Sequence, residues 1–261
     1  MLKSLNTAAT GMAAQQTNMD TIANNIANVN TNGFKKSRAE FEDLMYHTVR
    51  EPGSATGFNS YSPNGVQTGL GVKTAAVQRD FADGSMVMTK QPLDLQIEGS
   101  GFFQVLTPDG QVAYTRDGAF KKDAQGRVVD KNGNFLQPEI TIPPTAAGIQ
   151  VSPSGEVTVI QGLNDPGTVV GQIDVVTFVN PAGLRAMGKN LFNQSPSSGQ
   201  PVTVRPGTNG TGYIAQGQLE SSNVNIVDEM VNMITAQRAY ETNSKVIQAS
   251  DQMLQSINNL R

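Results

Sequence analysis

Apolar positions recur at helical spacing at both ends of the chain and at alternating spacing in between. Near the carboxyl end, Ala239, Asn243, Val246, Ser250, Met253, Ile257 and Leu260 step by fours and threes, flanked by Tyr240, Ile247 and Leu254 at seven-residue intervals. This heptad stripe predicts an amphipathic helix with a packing seam. No Gly or Pro interrupts the run after Gly217. Asn225 stands where it can cap the helix. Asp228 and Glu229 fall in the first turn, where the helix dipole favours negative charge. A continuous helix over 225–260 is about 50 Å long at 1.5 Å per residue. That is too long for the surface of a compact domain, so it needs a partner.

The amino end supplies one. Leu2, Leu5, Ala9, Met12, Gln16, Met19, Ala23 and Ile26 step by threes and fours, and Ile22 and Val29 widen the stripe. Asn32-Gly33 predicts a left-handed C-terminal cap. Lys3 and Asp20 are the only charged side chains before Gly33. A solvated helix normally carries charges opposite its apolar stripe. Asn, Thr, Gln, Ser and Ala in that place suit a helix touched by other helices on several sides. Two readings stay open: a hairpin that joins the ends of one domain, or helices that pack in a multi-subunit assembly. In the second, the expected assembly interface is Leu5, Met12, Met19, Ile26, Met230, Met233, Tyr240, Val246, Met253 and Ile257.

The middle of the chain has β texture from Val66 to about Arg205. The turn dipeptides Asn64-Gly65, Asp83-Gly84, Asp109-Gly110, Asp117-Gly118 and Asn132-Gly133 separate short alternating runs such as Val72–Val77, Leu93–Ile97, Phe103–Leu106, Gly126–Val129, Gly155–Ile160 and Ile173–Val179. This predicts a distorted barrel or sandwich with Phe102, Phe103, Tyr114, Phe120 and Phe135 in its core. Phe34–Met45 reads as a turn into a brief extended or helical piece. Residues 50–72 lack a helical period and alternate little, so they read as an extended arm, longer than most connections. Pro52 and Gly53 shape the arm, and Phe58 and Tyr61 give it large apolar surface without a core of its own. Gln194–Gly212 reads as a Ser-, Pro- and Gly-rich linker, and Gly212–Glu220 alternates again. The fold class is therefore α+β. Terminal coiled-coil helices (1–33 and 221–261) form a base, an extended connecting region (34–75 and 206–220) follows, and an all-β domain (76–205) is inserted.

Charged residues make up 16% of the chain, against ~25% in ordinary soluble proteins. That fits a surface largely covered by neighbours. A net charge of −3 leaves no basic footprint for nucleic acid. Without Cys, disulfides and thiolate metal sites are excluded. The lone His47 is expected at the surface, and neither a catalytic triad nor a metal or cofactor site is expected. Asp130-Lys131-Asn132-Gly133-Asn134 departs from a calcium loop in the position of its Gly and reads as a turn. Gly99-Ser100-Gly101 lacks the following Lys-Ser/Thr of a phosphate loop and reads as a bulge or tight backbone crossing. What remains is a polymerising structural subunit, or a β-domain binding protein with a terminal helical clamp.

Longer motifs separate these two. Ala23–Lys35 resembles the amino-terminal signature of the bacterial flagellar rod and hook proteins, and Leu219–Asn225 with Gln237–Glu241 resembles their carboxy-terminal signature. Leu93–Phe103 and Tyr114–Phe120 are similar to their central motifs, so the resemblance covers nearly the whole chain. Length and the segment Gly65–Val72 are most similar to the members that build the distal rod. The resemblance implies a non-enzymatic subunit of a helical homopolymer, a drive shaft that transmits torque from motor to hook. It implies partners as well: further copies of itself, proximal rod proteins, hook protein, the surrounding basal-body ring proteins and the flagellar type III export apparatus. It also implies a place in the rod across the periplasm, reached without a cleaved signal peptide.

Overall fold

A computed structural model of the chain describes every residue except Met1, Ser54, Phe58, Asn59, Ser62, residues 163–166, Asn209, Leu260 and Arg261. For Leu2 and residues 55–57, 60–61 and 257–259 it describes the backbone alone. The fold is α+β, with a helix at each end and several sheets between them. It divides into two units: residues 1–27, 37–79 and 225–261, and residues 28–36 and 80–224.

The first unit contains α1 (Leu2–Ala27) and α2 (Ile226–Asn259). It also holds six strands: β1 (Ser37–Asp43), β2 (Tyr46–Arg50), β3 (Ala55–Gly57), β4 (Ser60–Tyr61), β5 (Val66–Gly69) and β6 (Val72–Arg79). The Asn225 side chain accepts from Val227 N–H at 3.1 Å, so it caps α2 as its position suggests. Helix α1 ends at Ala27, earlier than the Asn32-Gly33 pair implies. Gly33 does take a positive φ of 67°, but its N–H is held by the Glu220 carbonyl in the second unit rather than closing the helix. Thr7, Thr17, Thr21, Thr235 and Thr242 each bond a carbonyl four residues back. This satisfies the hydroxyls within each helix. The segment after α1 is strand, not helix: β1 pairs antiparallel with β6, β2 with β5, and β3 with β4. The arm is thus a ribbon that folds back on itself.

The second unit begins with β7 (Met86–Met88), β8 (Leu95–Glu98), β9 (Phe102–Leu106), β10 (Val112–Thr115), β11 (Lys121–Lys122), β12 (Val128–Val129), β13 (Phe135–Gln137), β14 (Gly148–Val151) and β15 (Glu156–Ile160). It continues with β16 (Thr168–Gln172), β17 (Val175–Thr177), β18 (Arg185–Gly188), β19 (Leu191–Asn193), β20 (Val202–Val204), β21 (Tyr213–Gln216) and β22 (Gln218–Glu220). The largest sheet runs β11-β12-β13-β9-β10-β19-β18, with β17 and β20 branching from β9. A three-stranded sheet, β14-β15-β16, and the pairs β8–β21 and β7–β22 complete the unit. Residues 206–224, including the alternating run after Gly212, belong to this unit.

The core is made where these sheets meet. Phe103, Val105, Leu136, Val159 and Val175 are buried in one cluster; Phe102, Tyr114, Phe178 and Phe192 form a second, with edge-on ring contacts. Strand alternation places Leu136 in the core and leaves Phe135 half-buried, with the Arg127 guanidinium 4.2 Å from its ring centre. The turn glycines serve two different needs. Gly110 and Gly133 adopt positive φ of 76° and 82°, as hairpin turns require. Gly118 and Gly84 do not have positive φ. A Cβ at Gly118 would fall on the Leu95 carbonyl, and one at Gly84 on that of Ser221. The Asp130 carboxylate accepts from Asn132 N, Asn134 N and Asn134 Nδ2, which makes that loop an Asx turn.

This distinction is measurable by urea denaturation. Gly118→Ala must displace backbone and is expected to cost about 3 kcal/mol. Gly110→Ala, where a Cβ has open space, costs about 1 kcal/mol for its left-handed backbone alone. Equal effects would refute the close-approach account.

Candidate assembly surfaces

The two terminal helices meet through small and polar side chains. On α2, Glu229, Ala236, Asn243 and Ser250 recur every seven residues; Asn243 is half-buried and the other three are buried. On α1, Ala8, Ala14, Ile22 and Asn25 are buried. Asn25 is the principal clamp. Its Nδ2 donates to the Ser37 carbonyl at 2.8 Å and to Glu229 Oε2 at 3.3 Å, while its Oδ1 accepts from Ser37 N–H at 2.9 Å. One side chain therefore ties α1 to β1 and to α2. Further along, a Cβ at Gly11 would stand 2.9 Å from Asn243 Nδ2, so the helices approach closely there. Gly71 passes still closer to Thr10, whose hydroxyl accepts from Val72 N–H at 3.4 Å.

This arrangement turns the larger side chains of α2 outward. Ile226, Val227, Met230, Val231 and Ile234 form an exposed patch over its first turns, with Val227 68% exposed. Val246 and Met253, seven residues apart, are exposed further along. Of the residues expected to make the interface, Met230, Tyr240, Val246 and Met253 are exposed, while Leu5, Met12, Met19, Ile26 and Met233 are half-buried. The Ile257 side chain lies outside the described residues. The spacing of the seam is as read from the sequence, and Asn243 and Ser250 of the expected stripe lie in it. The seam facing α1 follows Glu229, Ala236, Asn243 and Ser250, not Val246 and Met253.

The β ribbon is a second open surface. Every residue of β2 is exposed, including His47 and Tyr46, and Met45 beside it is 82% exposed. Val49 and Val66 are also exposed. Two-stranded ribbons are marginal in water unless one face is covered. Pro52 and Gly53 are exposed at a turn, with Gly53 at a φ of 79°. Phe58 lies outside the described residues. Tyr61 has its backbone in β4, and its side chain is likewise not described.

The second unit contains a buried ionic cluster that the sequence reading did not single out. Lys35 Nζ pairs with Glu220 Oε1 and donates to the Ala82 carbonyl at 2.7 Å. The Arg116 guanidinium lies 3.5 Å from Glu220 Oε2 and 3.6 Å from Asp83, and donates to the Gly99 carbonyl at 2.8 Å. Lys35, Glu220 and Arg116 are buried. Burial draws the Lys35 pKa below its usual value; Arg116 adds to this and Glu220 opposes it. The same burial lowers that of Arg116. The motifs Ala23–Lys35, Tyr114–Phe120 and Leu219–Asn225 already held all three residues, though not their contact.

No helix among the described residues is long and apolar enough to cross a membrane. Three stretches match known families. Residues 5–35 match the flagella basal body rod protein family, residues 96–159 the flagellar hook protein FlgE/F/G D1 domain, and residues 215–260 the flagellar basal body rod FlgEFG protein C-terminal region. The whole chain is similar to the flagellar basal-body rod protein FlgG of several bacteria. That of Borreliella burgdorferi is 51% identical over 264 residues, covering 100% of this chain and 99% of the relative. Those of Buchnera aphidicola (subsp. Acyrthosiphon pisum) and Caulobacter vibrioides are each 48% identical, covering 100% of both chains.

A seam of small and polar residues contributes little apolar burial at about 25 cal/mol per Å², against about 1–2 kcal/mol per residue to order the backbone. In dilute, unassembled protein, amides of α1 and α2 are expected to exchange far faster than those of β9 and β10. Equal protection in helices and sheet, measured by hydrogen exchange, would overturn this.

Proposed function

We propose that this chain, which belongs to the flagellar basal-body rod protein family, polymerises through its first unit. It is a structural subunit of the distal rod in the flagellar basal body. In the proposed reading, the outward residues of α2 and the half-buried stripe of α1 pack against further copies of the chain, making a coiled-coil base in the tube. The β-rich part forms a distorted barrel, a reading supported by a core drawn from several sheets. The tube passes torque from motor to hook. Its neighbours are proximal rod proteins, hook protein and the basal-body rings, and the flagellar type III apparatus exports the chain. The role is mechanical, with no catalysis.

The observation that carries this reading is the inversion on α2: its buried positions are small or polar, while Val227, Met230, Val231, Ile234, Val246 and Met253 are exposed. Met253→Asp and Val231→Asp place a carboxylate in the proposed contact, at a cost on the order of several kcal/mol unless it is neutralised. Sedimentation should show both variants remaining monomeric at concentrations where the parent assembles, with an unchanged melting transition for the second unit. Normal assembly by both would overturn the assignment.

The β ribbon has a separate role in the proposal. It lies between adjacent subunits along the tube and resists their sliding, which keeps the polymer straight. Replacing residues 53–62 by a short linker should leave polymerisation intact and shorten the bending persistence length seen by electron microscopy. An unchanged persistence length would remove the stiffening role.

A further inference from the structure

We propose that Lys35, Arg116 and Glu220 form a latch that closes last in folding, so that the second unit stays open until residues 213–224 are in place. The segment 213–224 completes several parts of the unit that come much earlier in the chain. Strand β8 pairs with β21, and β7 pairs with β22. Gly33 N–H donates to the Glu220 carbonyl, Gly84 N–H to Glu220 Oε1, and Lys36 N–H to Asn223 Oδ1. Asn223 Nδ2 in turn reaches the Asp80 and Ala82 carbonyls.

The charges set the order. Lys35 and Glu220 are 185 positions apart. Hairpins such as β9–β10 and β14–β15 close within a few residues. Closing a long loop costs more entropy than closing a short one, so local hairpins form first. Until Glu220 arrives, closing the site would bury the Lys35 ammonium beside the Arg116 guanidinium, with half-exposed Asp83 as the remaining carboxylate. Two like charges brought out of water without a buried counter-charge strongly disfavour closure. A chain that emerges amino end first therefore cannot complete this unit until about residue 224 is free.

Pulse-labelling hydrogen exchange with mass spectrometry, during refolding of the full chain from urea, tests the order directly. Peptides spanning 102–115 and 148–160 should gain protection in an early phase, and peptides spanning 28–36 and 84–98 in the final one. Simultaneous protection of all four would overturn the proposal. Glu220→Gln gives a second test. It should raise the unfolding rate about a hundredfold and change the refolding rate less than about twofold, as for contacts absent from the transition state. A comparable slowing of refolding would place the cluster in the folding nucleus and overturn a late latch. Should the variant not fold, the labelling of the parent chain decides.

Discussion

The two terminal helices meet through a seam too small and too polar to satisfy them, and the architecture of the first unit follows from that. Asn25 and Glu229 fix their alignment with directed hydrogen bonds, and Gly11 lets the backbones come close. Buried polar contacts of this kind specify register more than they stabilise. The apolar groups that would stabilise a self-sufficient hairpin instead stand on the outer face of α2, from Ile226 to Met253. A helix pair with that distribution leaves apolar surface on α2 uncovered, and the proposed packing against further copies would cover it.

The second unit follows the opposite rule. Its apolar side chains converge on cores in which Phe103, Val105, Leu136, Val159 and Val175 have almost no exposure, and its glycines admit close backbone crossings. Gly101, with a φ of 144°, passes so near Val175 that a Cβ would overlap the side chain. Its buried charges lie beside opposite charges. Arg116 is held by carbonyls and carboxylates, and Asp117 receives Lys131. One chain thus joins a unit that is closed on itself to a unit that leaves its contacts open.

Much of this was legible in the sequence, and what was not has identifiable causes. Heptad spacing found both helices, because period survives whatever the residues are. It included Asn243 and Ser250, which are half-buried and buried, but also Val246 and Met253, which are exposed although they carry the greater hydrophobic weight. Alternation found most strands of the second unit, but left Phe34–Met45 open between extended and helical, because Arg38, Glu40, Glu42 and Asp43 mask the alternation of β1. The Asp-Gly and Asn-Gly pairs marked places where glycine is needed. They could not distinguish positive φ at Gly110 from close approach at Gly118, since the latter depends on Leu95, far away in the chain. The ionic cluster was hidden for the same reason: Lys35, Arg116 and Glu220 are unremarkable as single charges. Only the topology brings them together.

The low content of charge acquires a more specific meaning from these two units. Exposed charges confer solubility and keep chains apart, and a subunit that must pack against copies of itself has reason to carry few. Helix α1 solves the resulting problem locally: Lys3 and Asp20 are its only charged side chains, and threonine hydroxyls bond back to its own carbonyls, so its outer face is polar and nearly uncharged. Such faces need no counter-ion when covered and no partner when exposed. They can therefore pass between solvent and an interface at low electrostatic cost, which a charged face cannot. Charge is retained where covering never has to be reversed, as in the buried cluster around Glu220, and where it stays at the surface, as in the Lys73–Glu42 pair across β6 and β1.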